Sequence, residues 1–255
     1  MLITELALIP ASFVAGIIAT IAGGGSFITL PALMLTGLDA RTANITSTMA
    51  LYPMQISTGF SGRKNAAGTQ HLSFKELFII SFVGGIVGAF LLLTTSSASF
   101  ARLVPWLMLF ATALFAWGSF RKQPAVIQDM APKRDRMGYL GAALAQFAIG
   151  VYGGYFGGGM GLMMMAVLSY AGMNVRQAIT SKNILTAVIN TSAVGVFFVL
   201  TRMHWLSVGL VAISSSAGGL LGLQIINRVD EKKLRLGIVA LGIVMSAILF
   251  FHARQ

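Results

Sequence analysis

Long apolar stretches recur along this chain, and short polar or basic runs separate them. They fall at residues 4–22, 26–37, 43–62, 75–95 and 101–120, then at 138–156, 160–173, 177–200, 206–226 and 233–252. Most approach the ~20 residues that a helix needs to cross a bilayer, whereas 26–37 and 160–173 are too short. None alternates apolar and polar residues as a barrel strand does. Helices satisfy their own backbone hydrogen bonds in lipid and are the predicted elements throughout. The first stretch, Met1 to Pro10, carries Glu5 and lacks the basic start of a signal peptide, so 4–22 reads as an uncleaved first span.

The pattern is stated twice. Ala22-Gly23-Gly24-Gly25-Ser26 returns as Phe156-Gly157-Gly158-Gly159-Met160. Each triple glycine interrupts an apolar segment, and a short apolar stretch follows. Then come Arg-x-Ala (Arg41 and Ala43; Arg176 and Ala178) and a Thr-Ser pair (Thr46-Ser47; Thr180-Ser181). The halves align at an offset of 134 at the glycines and at Thr-Ser, and 135 at Arg-x-Ala, so one residue is inserted near Asn44. The predicted fold is an all-α polytopic membrane protein of two repeats. Each has about four long spans plus one short half-helix after a Gly-Gly-Gly break. Residues 1–120 form the first transmembrane repeat, 121–137 a basic cytoplasmic linker and 138–255 the second repeat.

Loop charge decides how the repeats face. If each short segment completes the preceding span, the halves are parallel, and Lys and Arg split ten to seven between the two sides. If each short segment returns the chain to the side it came from, the halves are inverted. Thirteen of the eighteen Lys and Arg then share one side, Arg41, Arg102, Arg202 and Arg254 take the other, and Lys182 falls within a span. The second arrangement satisfies the positive-inside rule and predicts inverted repeats with both termini outside.

Composition agrees. The chain is 56% hydrophobic with mean hydropathy +0.82, and its 10% charged residues fall far below the ~25% of soluble domains. The net charge of +11 is topogenic on this reading; no loop is large enough for a nucleic-acid-binding face. Cysteine is absent, and His71, His204 and His252 stand far apart, so no metal site and no cofactor are expected. All seven acids lie near predicted segment ends, which leaves no mid-span carboxylate as a proton carrier. A P-loop is missing, so the chain itself is not an ATP-driven pump.

The candidate chemistry is polar and cationic. Gly23, Gly24 and Gly25, with Ser26, and Gly157, Gly158 and Gly159 would expose helix N-termini inside the membrane, a ready anion site; close packing is the competing reading. Single glycines such as Gly84, Gly85, Gly88, Gly218, Gly219 and Gly222 read as packing positions. Thr46, Ser47, Thr180, Ser181 and Asn183 open long spans, where hydroxyls either cap the helix or line a pocket. Lys182 lies within a span, and such a charge either faces a cavity or snorkels to the membrane surface. Gln55, Asn190 and Gln146 are mid-span amides, either interhelical glue or pocket lining. Tyr152 and Tyr155 precede the second glycine cluster as packing residues or as donors to an oxyanion.

Ile21-Ala22-Gly23-Gly24-Gly25-Ser26 with Ala43-Asn44-Ile45-Thr46-Ser47, and Gly157-Gly158-Gly159-Met160-Gly161 with Ala178-Ile179-Thr180-Ser181, resemble the sulfite exporter TauE/SafE family of membrane permeases. The resemblance covers nearly the whole chain. Members often show Ala-x-Gly-Thr where Ala43-Asn44-Ile45-Thr46 stands here. It implies passage of small sulfur-containing or organic anions (sulfite, or sulfonates such as sulfoacetate) across the bacterial inner membrane. The expectation is a secondary transporter, not an enzyme, whose site lies between the repeats near the midplane. Its expected partners are a small anion and the bilayer, without nucleic acid; proton coupling and homo-oligomerisation stay open. A passive anion channel is the competing class.

Overall fold

The computed structural model describes residues 6–22, 25–60, 66–120, 138–173, 175–202, 204–225 and 231–252. Ten helices form among them: α1 Leu8–Ala22, α2 Ser26–Leu35, α3 Ala40–Phe60, α4 Phe74–Thr94, α5 Ser97–Phe120, α6 Gly138–Tyr155, α7 Met160–Tyr170, α8 Val175–Leu200, α9 Trp205–Ile225 and α10 Glu231–His252. The described residues contain no strand. Each predicted segment holds one helix. Gly23, Gly24 and the linker 121–137 lie outside the described residues, as do the side chains of Thr58 and Arg176. Four helical stretches combine length and apolar character sufficient to cross a membrane: Phe74–Thr94, Ser97–Leu114, Gln177–Leu200 and Trp205–Gly222. Helix α3 has the length, but its first half carries Asn44, Thr46 and Ser47, all buried in the protein.

Local signals explain several helix boundaries. Ser73 and Glu76 form a reciprocal capping box at the start of α4, a Ser-x-x-Glu signature legible in the sequence. Asp39 caps α3: its Oδ1 accepts from the Arg41 and Thr42 amides, both at 3.2 Å, and from the Ser97 hydroxyl at 2.6 Å. Burial works against the Asp39 charge, but the hydrogen bonds from Ser97, Thr42 and Arg41 outweigh it and hold the carboxyl below its usual range. A depressed folded-state pKa makes this cap fully stabilising above the unfolded aspartate value of about 3.9, and the contribution is lost as pH falls through the lower folded value. Asp39→Ala should cost about 0.5–2 kcal/mol of stability at neutral pH, and Asp39→Asn much less. Thermal unfolding of both variants checks this; equal losses would show that the cap is not what matters at this position.

The packing has an exchange symmetry. Helix α1 packs most extensively on α9, and its counterpart α6 packs as extensively on α4. The pairs α3 with α9 and α8 with α4 match in the same way, as do α2 with α3 and α7 with α8. Two contacts join counterparts directly, α3 to α8 and α5 to α10. Shifting every helix by five positions maps each of these contacts onto another of them or onto itself. The tightest pairs cross from one half of the chain to the other.

Residue pairs fix the directions. Ser81 meets Gln146, Gly84 meets Gly150 and Gly88 meets Tyr155, so α4 and α6 run parallel. Phe13 meets Gly218 and Ile17 meets Gly222, so α1 and α9 are parallel too. Thr112 meets Gly242 whereas Trp106 meets Phe250, so α5 and α10 are antiparallel. Helix α3 begins and α8 ends at one end of the molecule, where Arg41 and Arg202 line a common cavity. At the other end Ser181, near the start of α8, bonds to Ala67 beyond α3. These counterparts are therefore antiparallel as well. Met160, Met164 and Leu168 of the short helix α7, and Ala171 and Met173 after it, share one buried apolar cluster with Leu72, Leu77, Ala142 and Ile149.

Glycine makes the parallel pairs possible. A Cβ on Gly218 would lie 2.0 Å from the Phe13 carbonyl oxygen, and one on Gly16 2.0 Å from that of Ser215. In the other pair, a Cβ on Gly88 would lie 2.1 Å from the Val151 oxygen and one on Gly154 2.2 Å from that of Gly85. These backbones touch, as small-residue interfaces permit in a membrane, where apolar side chains gain nothing by leaving lipid.

Candidate functional site

The second glycine break is a built turn. Gly157 and Gly159 have φ of +81° and +76°, a region costly for any residue with a side chain. The Tyr152 hydroxyl donates to the Gly158 carbonyl at 2.7 Å, and a Cβ on Gly159 would meet that of Ala111 at 3.0 Å. Tyr152 is thereby a brace of the turn. At the start of α7 the Leu162 amide donates to the Gly159 carbonyl at 3.1 Å. The amides of Gly158, Gly159 and Gly161 have no acceptor among the described residues. Helix N-termini with such free donors attract anions.

Lys182 comes to this turn. Its Cδ lies 3.7 Å from where a Cβ on Gly161 would stand, so the stem runs beside the first turn of α7. The side chain is half-buried and makes no ion pair or hydrogen bond among the described residues. One turn further along α8, the buried Thr186 hydroxyl also lacks a partner. One turn beyond that, the Asn190 amide donates to Gln55 Oε1 of α3. Residues four apart share a helix face, so Lys182, Thr186 and Asn190 form a polar line on α8. Next to it the Tyr52 hydroxyl donates to Thr191 at 2.9 Å.

The first break differs. Gly25 is helical, at φ −56° and ψ −39°, and packs on α1, where its Cβ would lie 2.8 Å from that of Ala19. Ser26 opens α2, half-buried. Thr29 donates to the Gly25 carbonyl at 3.3 Å, and its hydroxyl lies 2.6 Å from that of Ser47. The aligned Ser181 does something else. Its hydroxyl accepts from the Ala67 amide and donates to the Ala67 carbonyl, both at 3.0 Å, pinning the segment before α4. Thr180 is buried and Asn183 half-buried beside it on α8. Gln146 joins α6 to α4 through Ser81 at 2.7 Å. Asn44, where the family motif often has glycine at the following position, donates to the Tyr155 carbonyl at 3.1 Å and ties α3 to the end of α6. The Tyr155 hydroxyl reaches Thr95 at 3.4 Å, and its ring packs edge-on against Phe100.

The predicted residues do not meet in one pocket. Thr46 lines a cavity with Thr201, whereas Lys182 precedes Thr201 by nineteen residues on α8, about 28 Å at 1.5 Å per residue. Thr46 and Lys182 lie toward opposite ends, and Tyr155, bonded by Asn44 and two residues before Gly157, stands between them. Sequence reasoning also missed a third feature. The open cavity that Thr46 lines has a volume of about 470 Å³ and is bordered by Arg41, Thr42, Ile45, Phe90, Leu93, Thr94, Leu200, Thr201 and Arg202. In the sequence Arg41 and Arg202 count only as loop charge. The signal that could have singled out Arg41 is its recurrence as Arg176 in the aligned Arg-x-Ala motif.

The chain is similar to known proteins along most of its length. A protein of Haemophilus influenzae named "probable membrane transporter protein" is 28% identical over 240 residues, covering 92% of this chain and 90% of the relative. "Probable membrane transporter protein YfcA" of Escherichia coli K12 is 27% identical over 246 residues, covering 95% and 88%. "Probable membrane transporter protein ORF9" of a Sinorhizobium species is 28% identical over 223 residues, covering 86% and 80%. No solved structure matches the chain. The family described as sulfite exporter TauE/SafE matches residues 8–249, nearly the full length, and this helical membrane protein belongs to that family.

Proposed function

We propose that the protein is a secondary transporter of small anions, sulfur-containing ones first among them, working by alternating access in a bacterial inner membrane. The observation that carries this reading is Lys182: a lysine within a membrane helix, without an anionic partner among the described residues, beside the unpaired amides that start α7. A charge placed in hydrocarbon is costly and is kept where it serves a substrate or ion path. Lysine and a helix N-terminus together favour an anion. The transporter names of the relatives support carriage of a solute, and the family description supports sulfite and related sulfur anions as its class.

Inverted repeats are the architecture that fits. Parallel repeats would set α3 alongside α8, and α5 alongside α10, in the same direction; both pairs run oppositely. The positive-inside rule then places the Arg41–Arg202 end, and both termini, in the periplasm. Rocking of one sequence half against the other would tear the α1–α9 and α4–α6 contacts. The moving bodies are instead composites, α1, α2, α3 and α9 against α4, α6, α7 and α8. These meet across α3 and α8, where the Gln55–Asn190 and Tyr52–Thr191 bonds lie.

The test is thermal unfolding of the purified protein with sulfite, thiosulfate, sulfoacetate, taurine, sulfate and simple carboxylates, followed by counterflow in vesicles. A ligand at a hundredfold excess over its Kd should stabilise the folded state by about 2.7 kcal/mol. A sulfur anion that raises Tm and exchanges against its own gradient is the expected result. A steady anion current without counterflow would overturn the carrier in favour of a channel, and neither shift nor flux with any of these anions would overturn both.

A further inference from the structure

The cavity of about 470 Å³ beside the start of α3 has a lining suited to anions. Arg41 is fixed in place: its Nη1 donates to the Leu93 carbonyl at 3.2 Å and the Thr95 carbonyl at 3.0 Å, at the end of α4. Those bonds leave the remaining guanidinium donors unengaged among the described residues, held without freedom to swing away. Arg202 stands at the end of α8, exposed, with no ion pair among the described residues. Thr46 is 1% exposed, yet its hydroxyl has no partner among the described residues and it borders the same space. Capping of α4 accounts for Arg41, but for neither Arg202 nor the unpartnered Thr46.

Among the described residues no carboxylate lines the cavity. Asp39, the near acid, is committed to the Arg41 and Thr42 amides and to Ser97. The described lining therefore carries two guanidiniums and no opposing charge. Arginine's planar fork matches the paired oxygens of sulfonates, sulfate and carboxylates. The volume exceeds what one tetrahedral oxyanion fills and leaves room for a short organic tail.

We propose that this cavity is a second anion site, a receptor at the mouth where a soluble oxyanion or small sulfonate is bound by Arg41, Arg202 and Thr46 before it reaches the start of α7. Binding here is independent of the transport reading; only the word "mouth" rests on it. The same chemistry would suit the phosphate of an anionic lipid. A soluble ligand is favoured because Thr46, which borders the cavity, is almost wholly buried in protein.

Trp205 offers a local reporter. It begins α9 three residues after Arg202 and packs edge-on against Phe198 with ring centroids 5.9 Å apart. With Trp106 and Trp117 changed to phenylalanine it is the sole tryptophan. In phosphatidylcholine nanodiscs, sulfate titrated at constant ionic strength should change Trp205 emission saturably. Arg202→Gln should raise the midpoint at least tenfold, Arg202→Lys should restore part of it, and Lys182→Met should leave it unchanged. An unchanged midpoint in Arg202→Gln, or a response lost with Lys182→Met instead, would overturn the proposal. A response elicited by phosphatidylglycerol without sulfate, and no further change when sulfate is added, would overturn the soluble ligand in favour of lipid. If the intact chain carries no anion across vesicles but Trp205 still responds, the transport reading fails and this site stands. Transport with no Trp205 response has the opposite meaning.

Discussion

A Lys182→Met protein is expected to fold, insert and lose anion transport. The methionine keeps the stem that packs beside Gly161 and removes only the charge. A hydrogen bond to a charged group contributes about 1.5–3 kcal/mol, so substrate should bind about 10- to 100-fold more weakly. The fold should not suffer. A charge at the centre of a membrane helix costs about 2.5–3.5 kcal/mol on insertion scales, and removing Lys182, nearer the start of α8, relieves part of that. Loss of counterflow with an undiminished melting temperature would place the defect in the site. Uptake at the rate of the unmodified chain would remove Lys182 from the mechanism.

Gly218→Leu and Gly88→Leu should each abolish a monodisperse folded protein. At both positions the atom that a Cβ would strike is a backbone oxygen of the facing helix, which cannot rotate aside. Overpacking by a methylene or two in a tight core costs about 1–3 kcal/mol, and a whole leucine side chain between touching backbones exceeds that. Gly195 is the control: it lies in α8 with nothing within 4 Å of an added Cβ. Gly195→Ala should be neutral or gain up to about 1 kcal/mol from helix propensity. Size-exclusion profiles and melting curves separate the cases. Retention of a sharp folded peak by Gly218→Leu would show that the α1–α9 contact is looser than drawn.

Much of the fold was legible because lipid leaves little choice. An apolar run of given length becomes a helix, and the two triple glycines, repeated in register, marked where short helices begin. Loop charge predicted inverted repeats, an arrangement with which the antiparallel α3–α8 and α5–α10 pairs are compatible. The glycines predicted to pack do so at Gly84, Gly85, Gly88, Gly218, Gly219 and Gly222. What was not legible is pairing across space. Gln55 and Asn190 were each identifiable as mid-span amides, but that each answers the other depends on how α3 crosses α8. Ser181 read as a pocket donor, and its hydroxyl is spent on Ala67 in a segment without pattern. Arg41 and Arg202 each looked like topogenic charge. Their shared cavity exists because one helix starts where the other ends, a fact that no local window contains.

The cross-pairing of the halves has a consequence for how the chain is made. During synthesis α1 enters the bilayer long before α9, the helix whose backbone it touches, is translated. Until then the face carrying Phe13, Gly16 and Ile17 meets only lipid or whatever the insertion machinery offers it. A ribosome stalled after α5 would leave α1 and α4 inserted, each lacking the partner built for it. The first half is thus a product in waiting, and degradation of such truncated chains should be the rule.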